Sequence, residues 1–369
     1  MQAMGRWRAT LEREFAARFG FAGSVATGFG RGALVLAVRA ALAGGAGEVL
    51  VPEFACAQVP EAVRRAGGRP AFYPVGTDLT VEAEAFCRAF TRQTRAAVVV
   101  HYFSEVLGNI AELARFCRER SVPLIEDCAL ALGAAKNGRP AGTFGDVAVF
   151  SFTKSEWCYG GGLAAASSPE WLGKLRESRR GSLRRCEALC RAYGALRRWD
   201  FLANRPEHCA AAARAGRRLE RALRIRGGNF FDAGRFDAAM PEIAARRALR
   251  LLRTLPEITA RQRALVGRLE QQLFSMRGLL HRSAHREGSA AFLLLRSAKG
   301  RAVGWRDRAA RNGVTLRLAW PAYQAEPAAP CSPAVDWLAR HLLILEIHPA
   351  LTPEETGAIA VCLLRLAAE

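Results

Sequence analysis

The first 150 residues alternate between short apolar runs and amphipathic segments, a pattern that predicts strands and helices in turn. The predicted strands span 48–51, 70–75, 96–103, 122–125 and 147–152. The predicted helices between them span 33–42, 58–66, 81–91 and 110–120, the last with Asn109 as its N-cap. Strands that recur every 21–27 residues imply strand–helix units and a mostly parallel sheet covered on both faces. The predicted fold class is therefore α/β.

The second half of the chain has a different pattern. Ser168 and Pro169 predict a helix start, and 241 to about 272 predicts one long connector helix. Further strands are predicted at 291–297, 315–320 and 342–347, with a helix at 304–311. Thr352 and Glu355 form the capping box of a last helix. The three predicted parts are an N-terminal helical segment at 1–20, a large α/β domain at 21–240, and the connector helix with a smaller α+β domain at 241–369.

The composition excludes several classes of protein. An apolar fraction of 50% in 369 residues is incompatible with a disordered chain. No apolar run approaches the roughly 18 residues of a membrane span, and residues 1–20 lack the apolar core of a signal peptide. We therefore expect a soluble, cytoplasmic protein that does not engage membranes. The ten cysteines are scattered without a Cys-x-x-Cys pair, so we expect reduced, mostly buried thiols and no bound metal.

The formal net charge of +20 raises nucleic acid as a candidate partner. Of 54 basic residues only four are lysines, and 19 arginines against seven acidic residues lie between Arg179 and Arg253. Aromatic residues in this stretch are not interleaved with the arginines as a base-stacking surface requires. We interpret the stretch as solvated, arginine-decorated helices. An entrance for an anionic small-molecule substrate is the alternative, and nucleic acid ranks last among the three interpretations.

Ligands of open parallel sheets bind at the carboxyl ends of the strands, and a glycine-rich loop from Gly28 to Gly32 falls there. Such a loop at a helix start lets backbone N–H groups and the helix dipole bind a phosphate. The loop also satisfies the dinucleotide pattern G-x-G-x-x-A, but Glu48 precedes the second strand where a ribose-binding carboxylate should follow it. The loop therefore predicts a site for a single phosphate group.

Two further polar features fall at strand ends. Asp127 follows Glu126 at the end of an apolar strand, and Lys154 follows another buried strand, with glycines at 160–162 close behind. Taken singly, Asp127 could simply cap a helix and Lys154 could be an exposed loop lysine. Together with the phosphate loop, they match what pyridoxal phosphate requires: a lysine for its aldehyde, a helix N-terminus for its phosphate and a carboxylate for its ring nitrogen.

Four stretches carry these features in order: GFGRGALVLAVRAAL, VPEFACAQVPEAVRRAGGRPAFYPV, LIEDCALALGAAKNGRPAGTFGDVAVFSFTK and GGG. They resemble the DegT/DnrJ/StrS-type aminotransferases, a family of fold type I pyridoxal-phosphate-dependent enzymes. The resemblance runs from about residue 28 to 162 and resumes weakly at 240–242, 320–321 and 348–352. It implies a biosynthetic aminotransferase that transfers an amino group from an amino-acid donor to a carbonyl acceptor, and a homodimer with its sites at the interface.

The resemblance also implies roles for individual residues. Lys154 would form a Schiff base with pyridoxal 5'-phosphate and then move a proton, and Asp127 would pair with the pyridine nitrogen. The residues that would hold the phosphate are Gly30, Arg31, Gly32 and Ser151. His101 matches a recurring histidine near the family's site, although a core histidine is an equally good interpretation.

Several positions near the expected cofactor depart from the family pattern. Cys56 stands where many members carry an aromatic residue over the cofactor ring, and Leu130 where members usually have His or Gln near the cofactor hydroxyl. The three-residue spacing from Ser151 to Lys154 matches a minority subgroup rather than the commoner spacing of five, and the acidic residue often found before the glycines is missing. These changes lie on the substrate side of the pocket, so they argue against sugar-nucleotide amination and leave the acceptor open between a sugar and another biosynthetic intermediate. Two alternatives therefore remain: a dehydratase or other carbanion chemistry on the same cofactor, and an inactive relative that serves as a binding or scaffold protein.

Overall fold

A computed structural model describes residues 5–42, 45–154, 160–180, 184–185, 236–274, 287–297, 300–320 and 332–368. The helices are α1 (Arg6–Phe19), α2 (Gly30–Leu42), α3 (Gln58–Arg65), α4 (Ala83–Arg88), α5 (Ile110–Glu119), α6 (Pro169–Arg179), α7 (Glu242–Gln272), α8 (Ala302–Arg311), α9 (Pro333–His341) and α10 (Pro353–Ala368). Most of the predicted arginine-rich stretch lies outside the described residues.

The strands are β1 (Gly23–Thr27), β2 (Glu48–Pro52), β3 (Arg69–Tyr73), β4 (Thr94–Val100), β5 (Leu124–Asp127), β6 (Ala135–Lys136), β7 (Arg139–Pro140), β8 (Val147–Ser151), β9 (Gly162–Ala166), β10 (Arg184–Arg185), β11 (Ala238–Ala239), β12 (Phe292–Arg296), β13 (Leu316–Leu318) and β14 (Leu342–Glu346). A 3-10 turn covers Phe152–Lys154 directly after β8.

The large sheet has the strand order β1-β9-β8-β5-β4-β2-β3 in the described part of the chain. Strand β9 runs antiparallel to both of its neighbours, and the other pairs of this sheet are parallel. The structure therefore confirms the predicted α/β class with a mostly parallel sheet. As a consequence of this topology, β1, β8, β5, β4 and β2 all end at the edge of the sheet where β9 begins.

Helix α2 is the central covering helix of the large sheet. Its sequence is apolar almost all round, and it is buried against α3, α6, β8 and β9. A helix without a polar face is stable only inside a core, which is why this segment lies between the sheet and two other helices. The burial of α2 fixes its N-terminus, which begins at Gly30, at the carboxyl edge of the sheet.

Helix α7 packs against two hydrophobic cores. Its first part, from Ala244 to Leu255, lies in the core of the large sheet, and its last part, from Leu265 to Leu273, packs against the smaller sheet. That smaller sheet has the order β12-β14-β13 and is antiparallel. The long helix predicted from residue 241 is thus present, and it leads into the predicted smaller α+β part. The exact domain boundaries stay a prediction.

Several local predictions differ from the structure. Strand β4 ends at Val100 rather than at residue 103, because Phe103 and Ser104 adopt left-handed φ angles of 43° and 80° that no strand contains. Asn109 does not cap α5 with its side chain, since its amide donates to the carbonyl of Val81. Helix α4 covers 83–88 instead of 81–91.

The remaining sequence expectations concern helix starts and cysteines. The hydroxyl of Ser168 accepts the N–H of Trp171, and Thr352 and Glu355 exchange the two hydrogen bonds of a capping box, as predicted. The cysteines that the structure describes are free thiols: Cys56, Cys87, Cys117, Cys128 and Cys362. Among the described helices, none is both long and apolar enough to cross a membrane.

Candidate active site

The predicted site residues meet at the carboxyl edge of the large sheet. In the strand register, Thr27 of β1 and Ser151 of β8 both pair with Gly162, the first residue of β9. Asp127 of β5 pairs with Val149, two residues before Ser151. The loop after β1, the hydroxyl of Ser151 and the carboxylate of Asp127 therefore lie at one edge, as sequence reasoning expected for the ends of parallel strands.

The glycine-rich loop is packed so closely against its neighbours that a side chain cannot replace Gly30. A Cβ on Gly30 would lie 2.9 Å from the Cβ of Ser151. A Cβ on Gly162 would lie 2.3 Å from the carbonyl of Phe29. Helix α2 begins inside this loop, three residues before the predicted start at 33. The backbone at the N-terminus of a thirteen-residue helix thus lies directly beside the end of β8.

Polar side chains surround this helix N-terminus. The hydroxyls of Ser151 and Thr153 are 2.9 Å apart, and both residues are buried. The guanidinium of Arg31 lies 5.5 Å from the ring centre of Phe236, which also carries the guanidinium of Arg65 at 4.4 Å. A helix N-terminus, two hydroxyls and a guanidinium together favour the binding of an anion. Sequence analysis missed Thr153, although its place between Ser151 and Lys154 was a usable signal.

Asp127 is half-buried at the end of β5 and accepts the N–H of Ala129 on Oδ1 at 2.9 Å. Burial raises the pKa of the Asp127 carboxyl above its usual value, although the hydrogen bond from Ala129 and the charge of Lys154 act in the opposite direction. A carboxyl group in such an environment is stabilised as a carboxylate when a cation binds beside it.

Lys154 is the last residue of the 3-10 turn that follows β8. The turn is fixed by Phe152, whose side chain is fully buried and whose N–H donates to the carbonyl of Gly161 at 3.0 Å. The side chain of Lys154 is exposed. The short Ser151–Lys154 spacing is thus accommodated by a tight turn that holds the lysine backbone at the same edge as Asp127.

His101 lies at the end of β4 and is fully buried. Its Nδ1 accepts the N–H of Leu107 at 3.1 Å, and its Nε2 lies 2.8 Å from Oε2 of Glu126. Because Nδ1 is an acceptor, the ring proton is on Nε2 and is donated to the carboxylate. Of the two interpretations that the sequence allowed for His101, this geometry favours a core histidine. His101, Glu126 and Cys128 could in principle hold a metal, but the bonds described here already occupy both ring nitrogens.

Cys56 and Leu130 occupy loops that follow β2 and β5 at the same edge, and both are partly exposed. The carbonyl of Leu130 accepts the N–H of Ser104, which ties this loop to the segment after β4. Their predicted contacts with a cofactor stay predictions.

An aromatic cluster closes one side of this region. Trp320 lies 4.9 Å from Phe103 and 5.1 Å from Phe54, measured between ring centres, and the hydroxyl of Tyr102 donates to the carbonyl of Phe54. Phe54 follows β2, whereas Trp320 follows β13 of the smaller sheet. The cluster therefore joins the rim of the site to the C-terminal part of the chain.

Comparisons with known proteins agree with this geometry. The DegT/DnrJ/EryC1/StrS aminotransferase family model matches residues 1–364. A dTDP-4-dehydro-2,3,6-trideoxy-D-glucose 4-aminotransferase of Saccharopolyspora spinosa is 26% identical over 95% of this chain and 86% of its own length. A GDP-perosamine synthase of Vibrio cholerae is 34% identical over 41% of each chain, and an L-glutamine:scyllo-inosose aminotransferase of Streptomyces griseus is 35% identical over 41% of this chain and 39% of its own.

Solved structures resemble the whole chain. DesI, determined in the presence of its TDP-sugar product, superposes with a TM-score of 0.75 at 24% identity and covers 100% of this chain and 86% of its own. The aminotransferase TlmJ from Streptoalloteichus hindustanus has a TM-score of 0.74 at 24% identity over 99% of this chain and 91% of its own. At these identities the likeness shows a shared fold.

Proposed function

The chain belongs to the DegT/DnrJ/EryC1/StrS aminotransferase family, and we propose that this aminotransferase uses pyridoxal 5'-phosphate at the carboxyl edge of its large sheet. In this proposal it moves an amino group from an amino-acid donor to a carbonyl on a sugar or a related cyclic polyol. The observation that supports the proposal best is the meeting of Lys154, Asp127 and the N-terminus of α2 at one edge of the sheet.

The residues at this edge fit pyridoxal phosphate by their chemistry. The tightly packed loop at Gly30 presents a helix N-terminus beside the hydroxyl of Ser151, and Arg31 adds a positive charge, so this part suits the phosphate. Asp127 suits the ring nitrogen and Lys154 the aldehyde. Pyridoxal phosphate, when bound, supplies an aldehyde that takes up the amino group and a ring that withdraws electrons from the bond being broken.

The protein side chains would bind and move protons. Burial raises the pKa of the Asp127 carboxyl, because a charged carboxylate is poorly solvated there. The carboxylate is therefore costly to form alone, but it binds strongly to a cation that is buried beside it. Asp127 would therefore hold a proton at the ring nitrogen. The amine of Lys154 is carried on a flexible side chain from a fixed turn, so it would deliver and remove the proton at the reacting carbon of the substrate.

The acceptor is proposed from what the relatives act on. Their names specify a dTDP-linked keto sugar, a UDP-linked keto sugar and scyllo-inosose. These acceptors share a ketone on a six-membered ring, and two of them also carry a nucleoside diphosphate. The net charge of +20 favours the anionic members of this set.

We also propose a homodimer whose interface covers the site. The exposure of the Lys154 side chain in a single chain supports this, because a reaction that depends on proton transfer proceeds best where bulk water is excluded.

The cofactor proposal is tested by reconstitution of the purified protein with pyridoxal phosphate. We expect a visible absorbance band that Lys154→Ala abolishes and that Lys174→Ala, a change of a partly exposed lysine on α6 paired with Glu170, leaves intact. Addition of amino donors such as L-glutamate or L-glutamine should then convert the absorbance to that of the pyridoxamine form.

Two outcomes would contradict the proposal. Failure of the wild-type protein to bind the cofactor would favour the scaffold alternative. Cofactor binding without conversion by any amino donor would favour a dehydratase or other carbanion chemistry.

A further inference from the structure

The carboxylate of Glu126 is fully buried in the strand that carries Asp127, and it accepts four hydrogen bonds. Oε2 accepts from Nε2–H of His101 at 2.8 Å and from the N–H of Gly142 at 3.0 Å. Oε1 accepts from the N–H groups of Phe144, at 2.7 Å, and Gly145. Four donors directed at one side chain require a carboxylate, because an amide in its place would bring its own N–H hydrogens against two of them.

Three of these donors belong to the loop that leads into β8. Gly142 has a φ angle of +89°, and a Cβ there would lie 2.6 Å from the Cβ of Ala148. A Cβ on Gly145 would lie 2.6 Å from the carbonyl of Leu124. The loop is thus pressed onto β5 and held there by Glu126. Because β8 begins two residues later, this contact sets the position of the strand that ends in Ser151 and leads to Lys154.

The fourth donor connects Glu126 to the segment that leaves β4. With Nε2–H donated to Glu126, Nδ1 of His101 accepts the N–H of Leu107 and closes the segment 101–107 into a fixed loop. Within that loop the hydroxyl of Ser104 accepts the N–H of Phe292, the first residue of β12 in the smaller sheet. Glu126 therefore fixes the start of β8 and the end of β4, the two strands that flank β5. Through the segment that follows β4, it also fixes a contact with the C-terminal part of the chain.

We propose that Glu126 is a positioning residue for the cofactor site, which sets the placement of Asp127 and Lys154 relative to each other without contacting a ligand. Successive side chains of a strand point to opposite faces, so the carboxylates of Glu126 and Asp127 lie on opposite faces of β5. Glu126 anchors β5 to its neighbours from the side that the cofactor does not use. The inference rests on the proposed function, because it assigns Glu126 to the geometry of that same site.

A matched control exists at the other edge of the same sheet. Glu48, the first residue of β2, is also a buried carboxylate with several donors: the guanidinium of Arg69 at 2.8 Å and the hydroxyls of Thr91 and Thr94 at 3.0 and 3.1 Å. Glu48→Gln therefore removes a comparable network at the end of the sheet remote from the site, and reports the effect of lost stability alone.

The first measurement is hydrogen exchange by mass spectrometry on the full-length protein without cofactor. Glu126→Gln should accelerate exchange in peptides that contain 101–107 and 141–146, whereas Glu48→Gln should accelerate exchange around 91–94. Unchanged exchange of both loops in Glu126→Gln would overturn the inference, and this arm is valid even if the protein does not use pyridoxal phosphate.

The second measurement is titration of the same proteins with pyridoxal phosphate, followed by a pH titration of the resulting absorbance. Glu126→Gln should weaken cofactor binding by about tenfold, the effect expected when a charge-assisted hydrogen bond is lost, and should shift the pH midpoint of the spectrum. Glu48→Gln should change neither. Equal effects of the two variants would overturn the inference, and no binding by the wild-type protein would overturn the proposed function instead.

A milder pair of variants covers the case in which Glu126→Gln does not fold. A glutamine at position 101 can still donate to Glu126 and accept from Leu107, whereas a leucine can do neither. His101→Gln should keep the slow exchange of residues 101–107, and His101→Leu should lose it. Equal exchange in these two variants would contradict the role given to the Glu126–His101 contact.

Discussion

At the scale of the residue, the burial of Asp127 lowers the stability of the cofactor-free protein as the pH rises towards neutral. Burial raises the pKa of this carboxyl, so the folded chain holds the proton more tightly than the unfolded chain does. The resulting stabilisation is complete below the unfolded pKa and is lost as the pH rises through the raised folded value. Towards neutral pH the cofactor-free protein therefore loses stability through this group.

Asp127→Asn, which cannot ionise, should consequently raise the melting temperature of the cofactor-free protein at neutral pH. The gain should vanish towards about pH 4, where the unfolded carboxyl also becomes protonated. The same variant should lose at least about a hundredfold in kcat/KM, the size associated with the loss of one preorganised polar group in an active site. Thermal unfolding of the cofactor-free proteins across pH tests the first effect, and steady-state kinetics test the second. Identical pH profiles of unfolding for wild type and variant would refute the first.

Much of the site at residue scale could be predicted from the sequence. Lys154, Asp127 and the loop at Gly30 were identified because cofactor chemistry requires those residue types at strand ends, and the structure places all three at one edge. Glu126 and Thr153 were not identified as site residues, although each is adjacent in sequence to a predicted one. Their roles depend on which backbone N–H groups or hydroxyls approach them in space, and a single sequence carries no such distances.

At the scale of the element, helix α1 depends on a side chain from another part of the chain. Gly5 precedes α1 and offers no capping side chain. Instead, the carboxylate of Glu242, the first residue of α7, accepts the N–H of Trp7 at 2.8 Å and Nε of Arg8 at 2.9 Å. Glu242 thus satisfies one N–H at the start of α1 and also places a negative charge at the positive end of that helix.

Glu242→Ala should therefore destabilise the protein by about 1 kcal/mol, the typical cost of a lost helix cap. Limited proteolysis should cut the variant within residues 5–20 faster than the wild type, because α1 loses its contact at that end. Glu257→Ala, an exposed position on the same helix, is the control for helix propensity. Equal protease sensitivity of the two variants would show that α1 is held by its apolar contacts alone.

Two strands of the large sheet that sequence analysis missed share one physical property. Strands β1 (GSVAT) and β9 (GLAAA) are built mostly of small residues, with Val25 and Thr27 as their only β-branched residues and no aromatic side chain. Gly162 must be small because β9 begins directly against Phe29 of the glycine-rich loop. The need for a small residue at this position thus leaves space for the loop, and it also makes the strand hard to recognise in the sequence.

At the scale of the whole molecule, the net charge of +20 bears on substrate choice. A basic protein attracts an anionic substrate over distances that salt screens, with a Debye length of about 10 Å at 0.1 M ionic strength. An uncharged acceptor gains nothing from this field. Salt dependence therefore separates nucleotide-linked acceptors from neutral cyclic ketones. Relatives named for each of these two kinds of acceptor match this chain.

We expect kcat/KM for a nucleoside-diphosphate-linked keto sugar to fall by about tenfold or more between 0.05 and 0.5 M salt, since electrostatic steering contributes about 10- to 1,000-fold to association. The half-reaction with L-glutamine, whose net charge is zero at neutral pH, is the internal control and should change little. Steady-state assays with the two acceptor classes at matched pH measure the difference. The contrary result is a salt-independent rate with the nucleotide-linked acceptor together with efficient amination of a neutral cyclic ketone. It would show that the positive charge does not attract the substrate, and it would make the cyclitol ketones the better candidates for the acceptor.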